Sequence, residues 1–177
     1  EAPPAIVSVY LGDQLNDIIE QIEKGSGIKS SKNGGTLEVG VDSLPNLPRH
    51  ASDRNRTSPF AFTGSKFEFR AVGSAMNLSG ANVVLNTIVA DALDEICGKL
   101  EDAKKADKNM NKAVQNILQD IIKKHKRVIF NGDNYTEEWV KEAKKRGLPN
   151  LKTTPEALKA TLEPAVLALC EKHGVLT

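Results

Sequence analysis

Four cationic side chains and one carboxylate lie within residues 54–70 of this 177-residue chain. Its last five residues alternate between charged and aromatic: Lys66, Phe67, Glu68, Phe69, Arg70. A period of two predicts a β-strand with Lys66, Glu68 and Arg70 on one face, about 6–7 Å apart, and an aromatic face that can bury. A cation, an anion and a cation in a row suit a site for phosphate, divalent metal and carboxylate. The same alternation is typical of a solvated strand face held by salt bridges.

The charge balance and the lack of long apolar runs exclude several classes of partner. Lys plus Arg number 24 and Asp plus Glu number 23, a net charge of +1 that argues against nucleic acid as the main partner. No apolar run reaches the roughly 18 residues that span a membrane, and no signal peptide is visible. Cys97 and Cys170 lie in helical patterns and are expected to be buried thiols of a reducing compartment. No membrane partner and a cytoplasmic location are therefore expected.

The composition changes after residue 79. Residues 1–79 hold most of the Gly, Pro and Ser, and they predict short antiparallel strands with one helix capped by Asp13 and ended by Gly25. Residues 80–177 repeat apolar side chains at helical spacing and predict a bundle of long α-helices. The predicted fold class is α+β.

Start and stop signals divide the helical part. Helices are predicted from about residue 79 to 106, 108 to 126, 136 to 147 and 154 to 173. Asn131–Asn134 is a strong turn signal before the third helix. Thr154, before a proline, is expected to cap the fourth helix, and Pro164 to kink or split it.

The other chemistry-bearing residues show no motif. His50, His125 and His173 are far apart and are expected at the surface. Trp139 is expected in the core or as a helix-packing anchor. The lysine-rich helix faces alternate with acidic residues and are expected to be solvated.

Three segments in order resemble a known family. These segments are Glu1-Ala2-Pro3, then Asn55-Arg56-Thr57, then the Lys66–Arg70 strand followed by a helix. Together they resemble the later part of the glutamine synthetase catalytic domain. The stretch from residue 54 to 70 is most similar to the large type III enzymes. On this resemblance, residues 1–79 are the end of the catalytic domain, including a flap segment, and residues 80–177 are a helical C-terminal region.

The resemblance implies a reaction and a role for each matched residue. The reaction is ligation of ammonia to glutamate through a glutamyl phosphate, with ATP as co-substrate and Mg²⁺ or Mn²⁺ as cofactor. Glu68 matches a metal-binding glutamate, and Arg70 matches an arginine that grips substrate carboxylate or phosphate. Arg56 matches an arginine that stabilises the phosphoryl group in transit. Lys66 stands near the nucleotide phosphates, and Glu1 matches a flap glutamate that shields the intermediate and helps to deprotonate ammonium.

The chain departs from the family pattern at Ala61, where many relatives carry a second arginine that contacts the nucleotide. The family's other metal ligands precede the flap, so these residues alone are expected to be inactive without the rest of a parent chain. The resemblance implies that the parent is a homo-oligomer, a large ring assembly. The alternative is a non-catalytic helical module for assembly, in which the charged strand is only structural.

Overall fold

The structure, a computed structural model, describes residues 6–25, 36–37, 47–48, 56–70, 77–106 and 109–175. Its strands are β1 (Val9–Tyr10), β2 (Thr36–Leu37), β3 (Leu47–Pro48), β4 (Phe60–Phe62) and β5 (Phe67–Phe69). Its helices are α1 (Gly12–Glu23), α2 (Ser79–Ala106), α3 (Met110–His125), α4 (Glu137–Lys145), α5 (Thr154–Ala160) and α6 (Pro164–Lys172), with a 3₁₀ turn at Lys126–Val128. The predicted α+β class is confirmed. Among the described helices, none is long and apolar enough to cross a membrane.

The described residues form two compact units that are discontinuous in sequence. One unit takes its residues from 5–70 and 118–148 and contains the three-stranded sheet. The other takes its described residues from 71–117 and 149–175 and is helical. The predicted domain boundary after residue 79 stays a prediction, because compact units defined by contacts need not coincide with the domains of a protein family.

The sheet has the strand order β1-β4-β5. The β4–β5 pair is antiparallel, as is the separate β2–β3 pair. The β1–β4 pair is parallel, with Val9 opposite Phe60. This pairing differs from the expectation of antiparallel strands. On the other edge of β1, the Phe130 N–H donates to the Val9 carbonyl at 3.0 Å. The segment after α3 therefore lies beside the first strand of the chain.

Helix α1 is capped by a residue distant in sequence rather than by Asp13. The N-cap position is Leu11, and no side chain at that position makes a capping hydrogen bond. Instead Asn131 Oδ1 accepts from the N–H groups of Leu11 at 3.0 Å and Gly12 at 3.2 Å. The expectation for Asp13 is wrong because a long-range amide oxygen takes the cap. Gly25 ends the helix with φ 70°, as expected.

The other helix ends follow local chemistry. The Thr136 hydroxyl accepts from the Trp139 N–H and caps α4. A capping box of Thr153 and Glu156 starts α5, so the predicted cap at Thr154 is wrong by one residue. Pro164 splits the predicted last helix: α5 ends before it, and α6 begins at this proline.

The core of the sheet-containing unit is built around Trp139, which is 1% exposed, with Ile6 and Ala143. Phe130 stacks on Trp139 with ring centroids 3.9 Å apart, so the expectation of a buried tryptophan is confirmed. The expectation of buried thiols is wrong, because Cys97 is exposed on α2 and Cys170 is only half-buried. The described lysines of the helix faces are exposed, as predicted.

Candidate active site

Strand β5 presents the predicted row of charges on one face. Arg70 Nη2 lies 3.0 Å from one Glu68 carboxylate oxygen, and Lys66 Nζ lies 3.4 Å from the other. Contact of both cations with the same carboxylate requires all three side chains on one side of the strand. The predicted geometry of this face is therefore confirmed, and the salt bridges run along the strand itself.

The aromatic face of β5 is not buried by the described residues. Phe67 is 56% exposed and Phe69 is 39% exposed. Each ring lies beside its cross-strand partner on β4, with centroid distances of 5.2 Å from Phe67 to Phe62 and 4.6 Å from Phe69 to Phe60. The aromatic face, which the alternation made available for burial, is thus largely open in this part of the chain, because a cross-strand ring covers one side of a phenyl group and leaves the other open.

The charged face is partly covered and electrostatically polarised. Ala61, directly opposite Glu68 in the β4–β5 register, is 1% exposed. The hydrogen bond from Arg70 is the largest cause of a lowered pKa of the Glu68 carboxyl; burial opposes it and raises the pKa, and the Lys66 ammonium lowers the pKa further. Glu68 is consequently an ionised carboxylate at neutral pH. Its side chain is 38% exposed and so remains reachable by a cation.

Arg56 is exposed and comes directly before a tightly held segment. The hydroxyl of Thr57 accepts from the Asn134 N–H at 3.0 Å. Ser58, 1% exposed, donates to the Phe60 carbonyl at 2.7 Å. Arg56 takes part in none of the ion pairs found among the described residues, so ion pairs join Lys66, Glu68 and Arg70 but not Arg56. Glu1 lies outside the described residues.

As a metal site the described residues are incomplete. No group of three or more His, Cys, Asp or Glu that could hold a metal ion occurs within the described ranges. Glu68 fits the donor chemistry of Mg²⁺ or Mn²⁺, since it offers ionised carboxylate oxygens. Both oxygens are bonded to cations, so a metal would have to displace Lys66 or Arg70 or share an oxygen with one of them.

The turn at residues 131–134 was predicted from the sequence, but its role in holding distant segments was not. Asn131 caps α1, and Asn134 accepts a hydrogen bond from Ser8 at 2.5 Å while its main chain contacts Thr57. Two asparagines flanking a Gly-Asp pair gave the turn signal. Nothing local indicated their partners, which lie 77 to 126 residues away in the sequence.

Comparison with known proteins finds similarity to glutamine synthetases, and among them to a type-3 enzyme. Residues 113–177 match the family model of the glutamine synthetase C-terminal domain. The chain is 47% identical over all of its 177 residues to type-3 glutamine synthetase of Dictyostelium discoideum, of which it covers 24%. It is 40% identical over 162 residues to a glutamine synthetase of Bacteroides fragilis, a match covering 89% of the chain and 22% of that relative.

A glutamine synthetase of Butyrivibrio fibrisolvens is 36% identical over 180 residues, covering 100% of the chain and 25% of the relative. The chain therefore spans about a quarter of the length of these relatives. The resemblance to type III glutamine synthetases that the motifs predicted is confirmed.

Proposed function

We propose that this chain is part of a type III glutamine synthetase, an enzyme that ligates ammonia to glutamate with cleavage of ATP. The observation that carries the proposal is the Lys66–Glu68–Arg70 face, formed by a chain 47% identical along its whole length to a type-3 glutamine synthetase. An ionised carboxylate between two cations matches a site where metal, phosphate and carboxylate meet.

Glu68 is the proposed metal ligand and Arg70 the proposed anion clamp. When Mg²⁺ or Mn²⁺ is bound, its charge helps to neutralise the phosphates of ATP. The ion pair with Arg70 keeps Glu68 ionised and oriented before any metal arrives. Arg70 is 26% exposed, and a guanidinium is the group that binds a carboxylate or a phosphate by two parallel hydrogen bonds.

Arg56 and Lys66 are proposed to act on the phosphates. In the reaction, the γ-phosphoryl group of ATP moves to the side-chain carboxylate of glutamate. Charge then develops on the phosphoryl oxygens, where an arginine stabilises it. Lys66 is 66% exposed and acts as a mobile point charge near the nucleotide, without the paired donors of an arginine.

Glu1 is proposed to serve the second half of the reaction. Ammonium loses a proton to a carboxylate, and the resulting ammonia attacks the acyl carbon as phosphate leaves. A flap glutamate supplies that carboxylate and shields the acyl phosphate from water. Because one metal ligand is not a complete site, the 177 residues alone are proposed to make no glutamine.

An assembly role is the second candidate, and apolar exposure on α2 favours it. Val84, Val89 and Leu93 are each more than half exposed. Apolar side chains exposed along one helix are typical of a surface that contacts another protein segment. This role and the catalytic one are compatible, since a homo-oligomeric parent requires such contacts.

The metal role of Glu68 is tested by titrating Mn²⁺ into the full-length protein and following its electron paramagnetic resonance signal. Glu68→Ala is expected to weaken binding at one site by about 10-fold or more, because a charged ligand is lost. Glu101→Ala is the matched control, an exposed glutamate of α2 outside the site. Unchanged Mn²⁺ affinity in Glu68→Ala would show that the strand is a structural salt-bridge face.

A further inference from the structure

We propose that Thr57 is a positioning residue for Arg56, and that the turn at residues 131–134 supplies the anchor. The inference rests on the proposed function, in which Arg56 acts on the phosphoryl group. It goes further by giving the C-terminal part of the chain a role in arranging the active site.

A hydrogen bond links the turn directly to Thr57. The Asn134 main-chain N–H donates to the Thr57 hydroxyl oxygen at 3.0 Å, across 77 residues of sequence. Thr57 follows Arg56 directly, so fixing its side chain restrains the backbone from which the arginine extends. The acceptor belongs to the Thr57 side chain, and a substitution can therefore remove this bond without touching Arg56 or Asn134.

The anchor itself is buried and bonded to the sheet. Asn134 is 7% exposed, and its side-chain oxygen accepts from the Ser8 hydroxyl at 2.5 Å. Ser8 is fully buried and precedes β1. Ser58, which follows Thr57, is also held against the sheet: its hydroxyl contacts the Ser8 carbonyl at 3.5 Å and donates to the Phe60 carbonyl at 2.7 Å. Hydrogen bonds between buried polar groups hold position well, because breaking one leaves a group unsatisfied.

Both ends of the turn are also fixed. The N–H of Phe130, just before the turn, bonds to β1, and Asn131 bonds to the N–H groups at the start of α1. Just after the turn, Thr136 caps α4, whose Trp139 stacks on Phe130. These residues fall inside the region 113–177 that matches the glutamine synthetase C-terminal domain.

An exposed arginine needs such support to act in phosphoryl transfer. Its long side chain has many rotamers, and a misplacement of about 1 Å can cost a factor of about 10² in rate. Fixing the backbone at Thr57 reduces the conformations that Arg56 can adopt. Because Arg56 stabilises charge that develops in the transition state, loss of its positioning is expected to lower kcat more than it changes KM.

The test compares Thr57→Val with Thr57→Ser in the full-length protein, by steady-state formation of glutamine from glutamate, ammonia and ATP. Valine keeps the shape and removes the acceptor, whereas serine keeps the hydroxyl. We expect Thr57→Val to lower kcat by about 10- to 100-fold with KM values changed far less, and Thr57→Ser to retain most of the activity. Thr161→Val, an exposed threonine at the end of α5, is the matched control and should be unchanged.

A double-mutant cycle separates positioning from a general loss of structure. If Thr57 acts through Arg56, then Thr57→Val should cause no further loss in an Arg56→Ala background. A full additional loss there, or normal kcat in Thr57→Val alone, would overturn the inference. Thr57→Ala replaces the valine variant if that variant does not fold. If the wild-type protein makes no glutamine, both the proposed function and this inference are wrong. If the wild type is active and Thr57→Val has a normal kcat, only the inference is wrong.

Discussion

At the scale of single residues, the chain relies on polar side chains whose partners are distant in sequence. Asn131 completes the N-terminus of α1, and Asn134 holds Ser8 and Thr57. Between the two asparagines, Gly132 lies against the Phe130 ring. The stability of the sheet-containing unit therefore depends on this turn of four residues as well as on its core.

Gly132→Ala is expected to destabilise this turn. A Cβ atom at Gly132 would lie 2.6 Å from Phe130 Cζ, and that ring is already stacked on Trp139 at 3.9 Å. The ring has little freedom to move away, so we expect a loss of about 1–3 kcal/mol in the free energy of unfolding, as for overpacked cores. Urea denaturation followed by tryptophan fluorescence measures it.

Gly98→Ala is the matched control for that substitution. Gly98 lies inside α2, and among the residues that the structure describes no neighbouring atom lies within 4 Å of its added Cβ. Alanine there should stabilise the protein by about 0.5–1 kcal/mol through helix propensity. Equal effects of the two substitutions would mean that the Phe130 ring yields freely and that the turn is not tightly packed.

The residues of the charged strand were predictable, but their surroundings were not. Alternation placed Lys66, Glu68 and Arg70 on one face, because the side-chain period of a strand is fixed by its geometry. Which face is covered depends on what packs over the sheet, and so the exposure of Phe67 and Phe69 could not be inferred. The roles of the matched residues stay predictions of the family resemblance.

At the scale of elements, helix ends were predictable where the capping residue is a neighbour in sequence. Thr136, Gly25 and Pro164 act on their own helix, and each acts as predicted. The start of α1 was not predictable, since its cap is Asn131. The parallel β1–β4 pairing likewise depends on long-range contacts that no local pattern records.

The start of α5 gives a prediction that distinguishes two adjacent threonines. Thr153 accepts from the Glu156 N–H, and the Glu156 side chain accepts from the Thr153 N–H at 3.2 Å. Thr153→Ala should therefore cost about 0.5–2 kcal/mol of helix stability, whereas Thr154→Ala should be near neutral. Hydrogen exchange of the α5 amides compares the two variants. Faster exchange in Thr154→Ala than in Thr153→Ala would place the cap one residue later.

Helices α2 and α6 are joined by an ion-pair cluster that makes their contact depend on pH. Lys172 Nζ lies 2.8 Å from both Asp91 and Asp94, and His173 lies 3.0 Å from Asp91. His173, which was expected at the surface, is partly covered in this cluster, with a side chain that is 19% exposed. Hydrogen bonds from Lys172 lower the pKa of both carboxyl groups, and those carboxylates raise the pKa of Lys172.

The sign of the pH dependence follows from these shifts. Carboxyl groups with a lowered pKa stabilise the fold above their unfolded pKa of about 3.9, and this stability is lost as the pH falls through the folded pKa. An amine with a raised pKa stabilises the fold below about pH 10.4, and its effect is lost as the pH rises through the folded pKa.

Lys172→Met should therefore lower the melting temperature near pH 7 and make little difference near pH 2. Thermal unfolding by circular dichroism at both pH values measures this, with Lys159→Met, an exposed lysine of α5, as the control. A penalty for Lys172→Met that is the same at pH 2 would show that packing of the lysine stem, rather than its charge, joins the helices.

At the scale of the whole molecule, the two compact units do not follow the order of the sequence. The unit with the charged strand contains residues 118–148, which a division by composition assigned to the helical part. Composition and periodicity report local structure, so they found the change from strands to helices near residue 79. They could not show that the chain after α3 returns to the first strand.

We propose that Arg56 and the β5 face belong to the active site of a glutamine synthetase. Arg56→Ala in the full-length protein, followed by steady-state kinetics, distinguishes this role from a structural one. We expect kcat to fall by a factor of about 10³ or more, by analogy with arginine fingers, while the affinities for glutamate and ATP change much less. Near-normal turnover in Arg56→Ala would show that Arg56 is part of the scaffold and that the proposed role is wrong.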